Sequence, residues 1–233
     1  MKKLFTYTLI ITFLISCNND SKKGNMVVNG TIDGLKKGTV YLQKFKDTLL
    51  VSVDSVALNG ESTFSLSDDI VSPELYFISL DKKRNEEISF FGEKGEITVT
   101  GKLEKFSTSA KIEGSSHHDL YSEHKAMMTK FSNKQLDLIK EKFEAQKKGD
   151  TAEVNKLQKE ENNFLKRKIY YSVNFAVNNS DNEVAPLIAL TELNYANIKL
   201  LDTVHISLSK KIKKSKYGIE LENFIKRIKE NEK

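Results

Sequence analysis

The feature that most restricts this chain is a change in hydrophobic period at Gly114. Before it, short runs rich in Val, Ile, Thr, Tyr and Phe recur about every ten residues between Gly, Asn, Asp and Lys, the pattern of an antiparallel β unit. After it, apolar residues recur every three or four positions, the pattern of amphipathic helices. The two periods cannot share one element, because side chains alternate across a strand and wind around a helix. The sequence therefore predicts an α+β protein: an N-terminal antiparallel β-sandwich or barrel-like domain over 26–114, then an α-helical domain over 115–233 that opens with a long helical hairpin.

Strands are expected near 26–32, 38–45, 49–58, 63–67, 74–80, 86–91, 95–101 and 108–113. Gly34 to Gly38, Asn59-Gly60 and Glu93-Lys94-Gly95 read as hairpin turns, the glycines supplying positive φ. Pro73 should start a strand or sit on an edge. Leu49, Val51 and Val53 alternate onto one face, but Val56 and Leu58 are one residue out of phase. A β-bulge near Asp54-Ser55 would bring both sets to the core.

In the helical half, Ser116 with Asp119 reads as a capping box. Leu120, His124, Met127, Phe131, Leu138 and Ile139 form the first stripe, and Asp150 caps a second helix with Val154, Leu157, Phe164, Leu165, Ile169, Val173 and Ala176. Pro186 fits the first turn of a short helix. Asp202 can cap a helix bearing Val204, Leu208 and Ile212, and the last helix presents Leu221, Phe224, Ile225 and Ile228.

Ahead of the β unit, Met1-Lys2-Lys3 precedes an apolar run from Leu4 to Ile15 and then Ser16-Cys17. That run is shorter than the roughly 20 residues a membrane helix needs, and its flanks read as a lipoprotein export signal over 1–16. Resemblance to the lipobox implies cleavage after Ser16, a diacylglyceryl group on Cys17, and an acylated amino terminus. Residues 17–25 would be a flexible tether to the membrane. The location expected is the cell envelope, on the outer membrane facing the periplasm, with surface exposure left open.

Cys17 is the only cysteine, so no disulfide, redox pair or thiol nucleophile is expected in the mature chain. Loss of Lys2 and Lys3 leaves 35 basic against 32 acidic side chains. So mild a balance, without an aromatic-interleaved basic motif, points away from nucleic acid. No nucleophile elbow, P-loop, dinucleotide fingerprint or zinc-protease helix is present, so no catalytic residue and no cofactor is expected.

Three polar features remain. His117, His118 and His124, with Asp119, Tyr121 and Glu123, read either as a metal or acid–base site or as a solvated helix start. The lack of a His-x-x-x-His pair favours the second, so no metal is expected. The cluster Lys210, Lys211, Lys213, Lys214 and Lys216 reads as a solvated helix end near the negative dipole pole, with anionic lipid as the alternative. His205 reads as a partly buried structural histidine.

Gly30-x-Ile32-x-Gly34-Leu35, Gly38-Thr39-Val40-Tyr41-Leu42, Asp54-Ser55-Val56, Asn59-Gly60 with Phe64, Pro73-x-x-Tyr76 and Ile112-x-Gly114-Ser115 resemble a β-rich domain of unknown function. It is the one that precedes TlpA-like thioredoxin domains in Bacteroidota lipoproteins. In those relatives a Cys-x-x-Cys domain follows; here the chain stops at Lys233 without one, so thiol–disulfide exchange is not carried over. Asp47-Thr48-Leu49, Asp54-Ser55-Val56 and Asp202-Thr203-Val204 resemble the O-glycosylation acceptor of exported Bacteroidota proteins, which would place sugars on Thr48, Ser55 and Thr203. The function expected is a membrane-anchored, non-catalytic module that binds an envelope protein or ligand. The alternative is an accessory subunit of a periplasmic TlpA-like thiol–disulfide system, without a redox centre of its own.

Overall fold

The computed structural model describes residues 24–81 and 83–231. The expected export signal, the expected lipid attachment point Cys17 and nearly all of the expected tether lie outside the described residues. Eight strands and six α-helices occur among the residues described. The strands are β1 Met26–Asp33, β2 Lys37–Lys46, β3 Leu49–Asn59, β4 Thr63–Asp68, β5 Glu74–Leu80, β6 Lys83–Gly92, β7 Gly95–Lys102 and β8 Lys111–Glu113. They form two four-stranded sheets, ordered β4-β1-β7-β8 and β3-β2-β5-β6. The sheets face each other across one core that includes Val28, Ile32, Leu66 and Ile97 from the first and Val40, Leu42, Ile78 and Phe90 from the second. The result is a sandwich and not a closed barrel. Strict alternation builds it: in β1, Met26, Val28, Gly30 and Ile32 all point inward. Gly30 faces Phe64 across the β1–β4 ladder. A Cβ there would come within 2.0 Å of the Phe64 ring, so the missing side chain is what lets that ring lie over the strand.

Several expectations are corrected. The turns at Gly34–Gly38, Asn59-Gly60 and Glu93–Gly95 are not hairpins; each hands the chain from one sheet to the other, since β1 and β2, β3 and β4, and β6 and β7 lie in different sheets. Gly34, Gly38, Gly60 and Gly95 still take positive φ, as a sharp reversal requires. The first sheet is not wholly antiparallel, because β1 runs parallel to β7. The last strand is short. Residues 103–105 form a 3-10 turn, and the fully buried Phe106 plugs the core just after it.

The bulge is present, displaced by one residue. Leu42 pairs with Asp54 and Gln43 with Ser52, leaving Val53 as the extra residue of β3. Val53 and Val56 then both pack on the core, whereas Leu49, expected inside, is 69 % exposed at the β2–β3 tip. Asp54 also joins the two sheets at this corner: its Oδ2 accepts from the Ser67 N–H of β4 at 2.8 Å.

The helices are α1 Ser116–Lys147, α2 Thr151–Asn178, α3 Val184–Glu192, α4 Ile198–Ser207, α5 Lys210–Lys213 and α6 Lys216–Asn231. Helices α1 and α2 form the expected hairpin around Leu138, Ala145, Leu157 and Phe164. Ile139, placed on the buried stripe by periodicity, is 42 % exposed, and Met128 is buried in preference to Met127. Ser115, one residue before the expected cap, accepts from the His118 N–H at 3.0 Å and starts α1. Asp202 caps nothing: it lies inside α4, which Asn197 caps, and Ser209 caps α5.

The helical unit docks on the outer face of the second sheet. Leu75 and Phe91 are paired neighbours on β5 and β6. Phe91 is buried among Phe175, Val184, Leu187, Ile188 and Tyr217, with Leu75 packed against the same cluster. At this end the sheet is buried on both faces, Phe90 into the sandwich and Phe91 into the helices. Consecutive buried aromatics on one strand are the sequence sign of such a two-sided position.

Candidate functional site

Two of the side chains singled out from the sequence, His117 and His118, lie where β6, the turn after it and the start of α1 meet the loop before α3. His117 lies with its ring stacked 5.9 Å from Phe91. Its Nδ1 meets the Glu93 carboxylate, and its Nε2 lies 2.8 Å from Glu183 Oε2. With an acceptor at each nitrogen, the ring holds both protons and a positive charge. Burial pulls its pKa down, but the hydrogen bonds to Glu183 and Glu93 more than offset this and hold it above the ordinary histidine value. Glu183 is almost wholly buried, which pushes its carboxyl up. The bonds from His117 and from its own backbone N–H, together with Lys211 at 3.8 Å, outweigh this and hold it below the usual carboxylate range. Three segments distant in sequence are thereby clasped by one imidazolium.

His118 faces the other way. Its Nδ1 accepts from the Phe91 backbone N–H at 3.4 Å, and its Nε2 lies 2.9 Å from Ser122 Oγ. Burial pulls its pKa down, so the ring is neutral. With Nδ1 accepting, the hydrogen-bond pattern assigns the proton to Nε2, which donates to Ser122. That tautomer has no lone pair free to take the Ser122 hydroxyl proton, so the pair is not arranged for nucleophilic catalysis.

His124 is a core residue. It stacks on Tyr171 and packs at a tilt against Phe175, and its Nε2 lies 3.1 Å from Ser172 Oγ. Burial, aided by Lys168, pushes its pKa down to about 4. The three histidines thus do three separate jobs and do not converge. The solvated helix start is corrected as well: His117 and His118 are half-buried and fasten α1 to the sandwich. Among the described residues no group of three His, Cys, Asp or Glu is placed to hold a metal ion.

A second polar network was not legible in the sequence. Lys44 points into the end of the sandwich and donates to Asp68 at 2.7 Å, Glu74 at 3.1 Å and the Tyr76 hydroxyl at 3.1 Å. The Tyr76 hydroxyl donates to Asp68 at 2.6 Å. Burial and that bond drive the phenol pKa far up, so Tyr76 remains a donor. From α6, Lys216 reaches the other oxygen of Glu74 and the Phe45 carbonyl. Only the odd lysine inside an alternating apolar strand, Val40-x-Leu42-x-Lys44, hinted at this site.

The lysine cluster is more than a solvated helix end. Lys216 is tied as above, Lys213 donates to the Ile206 carbonyl at 3.1 Å, and Lys211 faces Glu183. His205 is half-buried, and burial with Lys213 lowers its pKa. Of the residues in glycosylation-like triplets, Thr48 is exposed in the β2–β3 turn and Ser55 is exposed on β3. Thr203 lies within α4, its hydroxyl donating to the Lys199 carbonyl at 2.8 Å.

Fold and site together define an α+β protein in which a helical unit is clamped to one face of a β-sandwich by paired charges. Residues 26–121 match the family model described as "Domain of unknown function (DUF4369)". The match takes in the whole sandwich and the first turns of α1, including His117 and His118 but not Glu183, the partner of His117. Neither the comparison with curated proteins nor that with solved structures returns a match.

Proposed function

We propose that this chain is a membrane-anchored envelope lipoprotein that works as a non-catalytic binding module, held through a lipid on Cys17. The observation that carries this reading is the use to which its reactive side chains are put. Both nitrogens of His117 are taken by carboxylates, His118 is in the wrong tautomer to act as base toward Ser122, and Tyr76 is held as a donor. Groups spent on fastening two units leave surfaces for recognition, and large apolar side chains stand exposed there: Phe45, Leu49 and Leu50 at one hairpin tip, Leu136, Ile139 and Phe143 along α1.

The test has two parts. In the native host, the chain and its Cys17→Ser variant are labelled with radioactive palmitate, and membranes are crosslinked and purified through a C-terminal tag. Label and membrane partition lost only in the variant, together with a specific crosslinked partner, bear the reading out; an unlabelled, freely soluble chain ends it.

The match of residues 26–121 to a domain of unknown function also supports a narrower reading: a Bacteroidota protein whose domain is of the type that precedes TlpA-like domains, serving as an accessory subunit of a thiol–disulfide system. Recovery of a thioredoxin-like protein in the same crosslinking experiment distinguishes it from a general binding lipoprotein.

A further inference from the structure

Strands β6 and β8 are the edges of their respective sheets and border the same seam of the sandwich. A groove of about 360 Å³ runs between them. One side is β6, with Glu87 and Ser89; the other is the approach to β8, with the Ser107 and Thr108 hydroxyls and the apolar Ala110 and Ile112. Over the top lie His118, Ser122 and Lys125 of α1. The size is within the usual range of ligand sites.

The polarity of the β6 edge follows from one hydrogen bond. The Phe91 N–H is directed away from β5, because it donates to His118. Backbone groups in an antiparallel pair alternate sides with a period of two, so the N–H and C=O of Ser89 and Glu87 also point outward, into the groove. His118 closes this edge at Phe91; beyond it the edge is open. No backbone partner for these groups occurs among the described residues.

Charge is arranged along the same edge. Glu87 and Ser89 are two residues apart and project on one face of β6. The Lys125 ammonium lies 3.4 Å from Ser89 Oγ and 5.3 Å from the Tyr121 ring centre. Among the described residues Lys125 has no carboxylate partner and Glu87 has no cationic one.

We propose that this seam binds an extended peptide segment of a partner protein by strand addition to β6. The segment runs antiparallel to β6, with an acidic side chain beside Lys125 and a basic one two residues later beside Glu87. Main-chain bonds to Ser89 and Glu87 supply affinity, and the alternating charges fix register and direction. This rests on the binding-module reading and names the chemistry of the partner.

The probe is acetyl-Thr-Glu-Val-Lys-Thr-amide, titrated into the ¹⁵N-labelled chain. The expected result is a shift of the Glu87 and Ser89 amides with slowed hydrogen exchange at both. Methylating the Glu and Lys nitrogens of the peptide should abolish binding, since these face the edge. Lys125→Glu should weaken the probe at least about tenfold and favour its Lys-Val-Lys counterpart. No response at about 1 mM peptide, or equal binding of the methylated peptide, overturns the proposal. If a crosslinked partner is still recovered from host membranes in that case, the strand-addition site falls and the binding-module reading stands.

Discussion

The hydroxyl of Tyr217, in the first turn of α6, accepts a hydrogen bond from the Leu75 backbone N–H of β5 at 2.9 Å. The two residues are 142 positions apart in the chain, and their contact lies in the apolar cluster that joins the helices to the sandwich. Tyr217→Phe keeps the ring and strips the acceptor from a part-buried donor, at a cost of about 1–3 kcal/mol. Urea unfolding followed by both far-UV signal and tyrosine fluorescence should show the midpoint falling, and an unchanged midpoint would place the Leu75 N–H in water.

His117 makes the junction pH-dependent from two sides. Its folded pKa lies above the unfolded value, so its contribution is complete below about 6.5 and is lost as pH rises through the raised value. The folded pKa of Glu183 is depressed, so its contribution is present above the ordinary carboxylate pKa and fades as pH falls through the depressed one. The clasp is therefore tightest between those limits, where His117 and Glu183 both bear their charges. His117→Gln should cost about 1–3 kcal/mol there, and the gap between variant and parent unfolding curves should narrow as pH rises. A gap that stays constant with pH would contradict an imidazolium at this position.

His124 acts in the opposite sense. A folded pKa near 4 lies below the unfolded value, so the unfolded chain gains a proton that the core refuses. Stability falls as pH drops from about 6.5 toward 4, by about 3 kcal/mol at one pKa unit per 1.36 kcal/mol. The double replacement His124→Phe, Ser172→Ala removes the titrating ring and its hydroxyl partner together. Acid titration of the unfolding midpoint should then be flatter over this range; an equal slope would assign the acid sensitivity elsewhere.

Gly218, in the first turn of α6, meets the end of α5 at backbone distance. A Cβ at this position would come 2.0 Å from the Ile212 carbonyl oxygen. Gly218→Ala should thus destabilise by about 1–3 kcal/mol through overpacking, against the gain of roughly 1 kcal/mol that alanine brings to an unhindered helix. A thermal midpoint raised by the substitution would show that α5 yields.

The elements were legible in the sequence because alternation and helical period are local; their partners were not, because pairing is not. Val53 and Val56 announced a bulge by their phase, and the pair Phe90-Phe91 carried the sign of a two-sided strand. Nothing within the β1 stretch marks β7, some 70 residues on, as its parallel neighbour. The same holds at the site. His117 and His118 stood out, but what defines His117 is Glu183, 66 residues away, together with Glu93, which lies in a turn that read as an ordinary hairpin. Two caps, Ser115 and Asn197, were displaced because several Ser, Asn and Asp residues compete at each helix start and only tertiary packing chooses among them.

The parallel pairing of β1 with β7 sets an order on how this domain can assemble. When β1 emerges, only β4 among its eventual neighbours arrives soon; the other side of β1 stays unpaired until residues 95–102 exist and have been carried past the entire second sheet. Closing so long a loop before any reward is slow. A chain truncated before Gly95 keeps an open flank on β1, and it is there that a stalled or partly synthesised molecule is most exposed to pairing with its own kind.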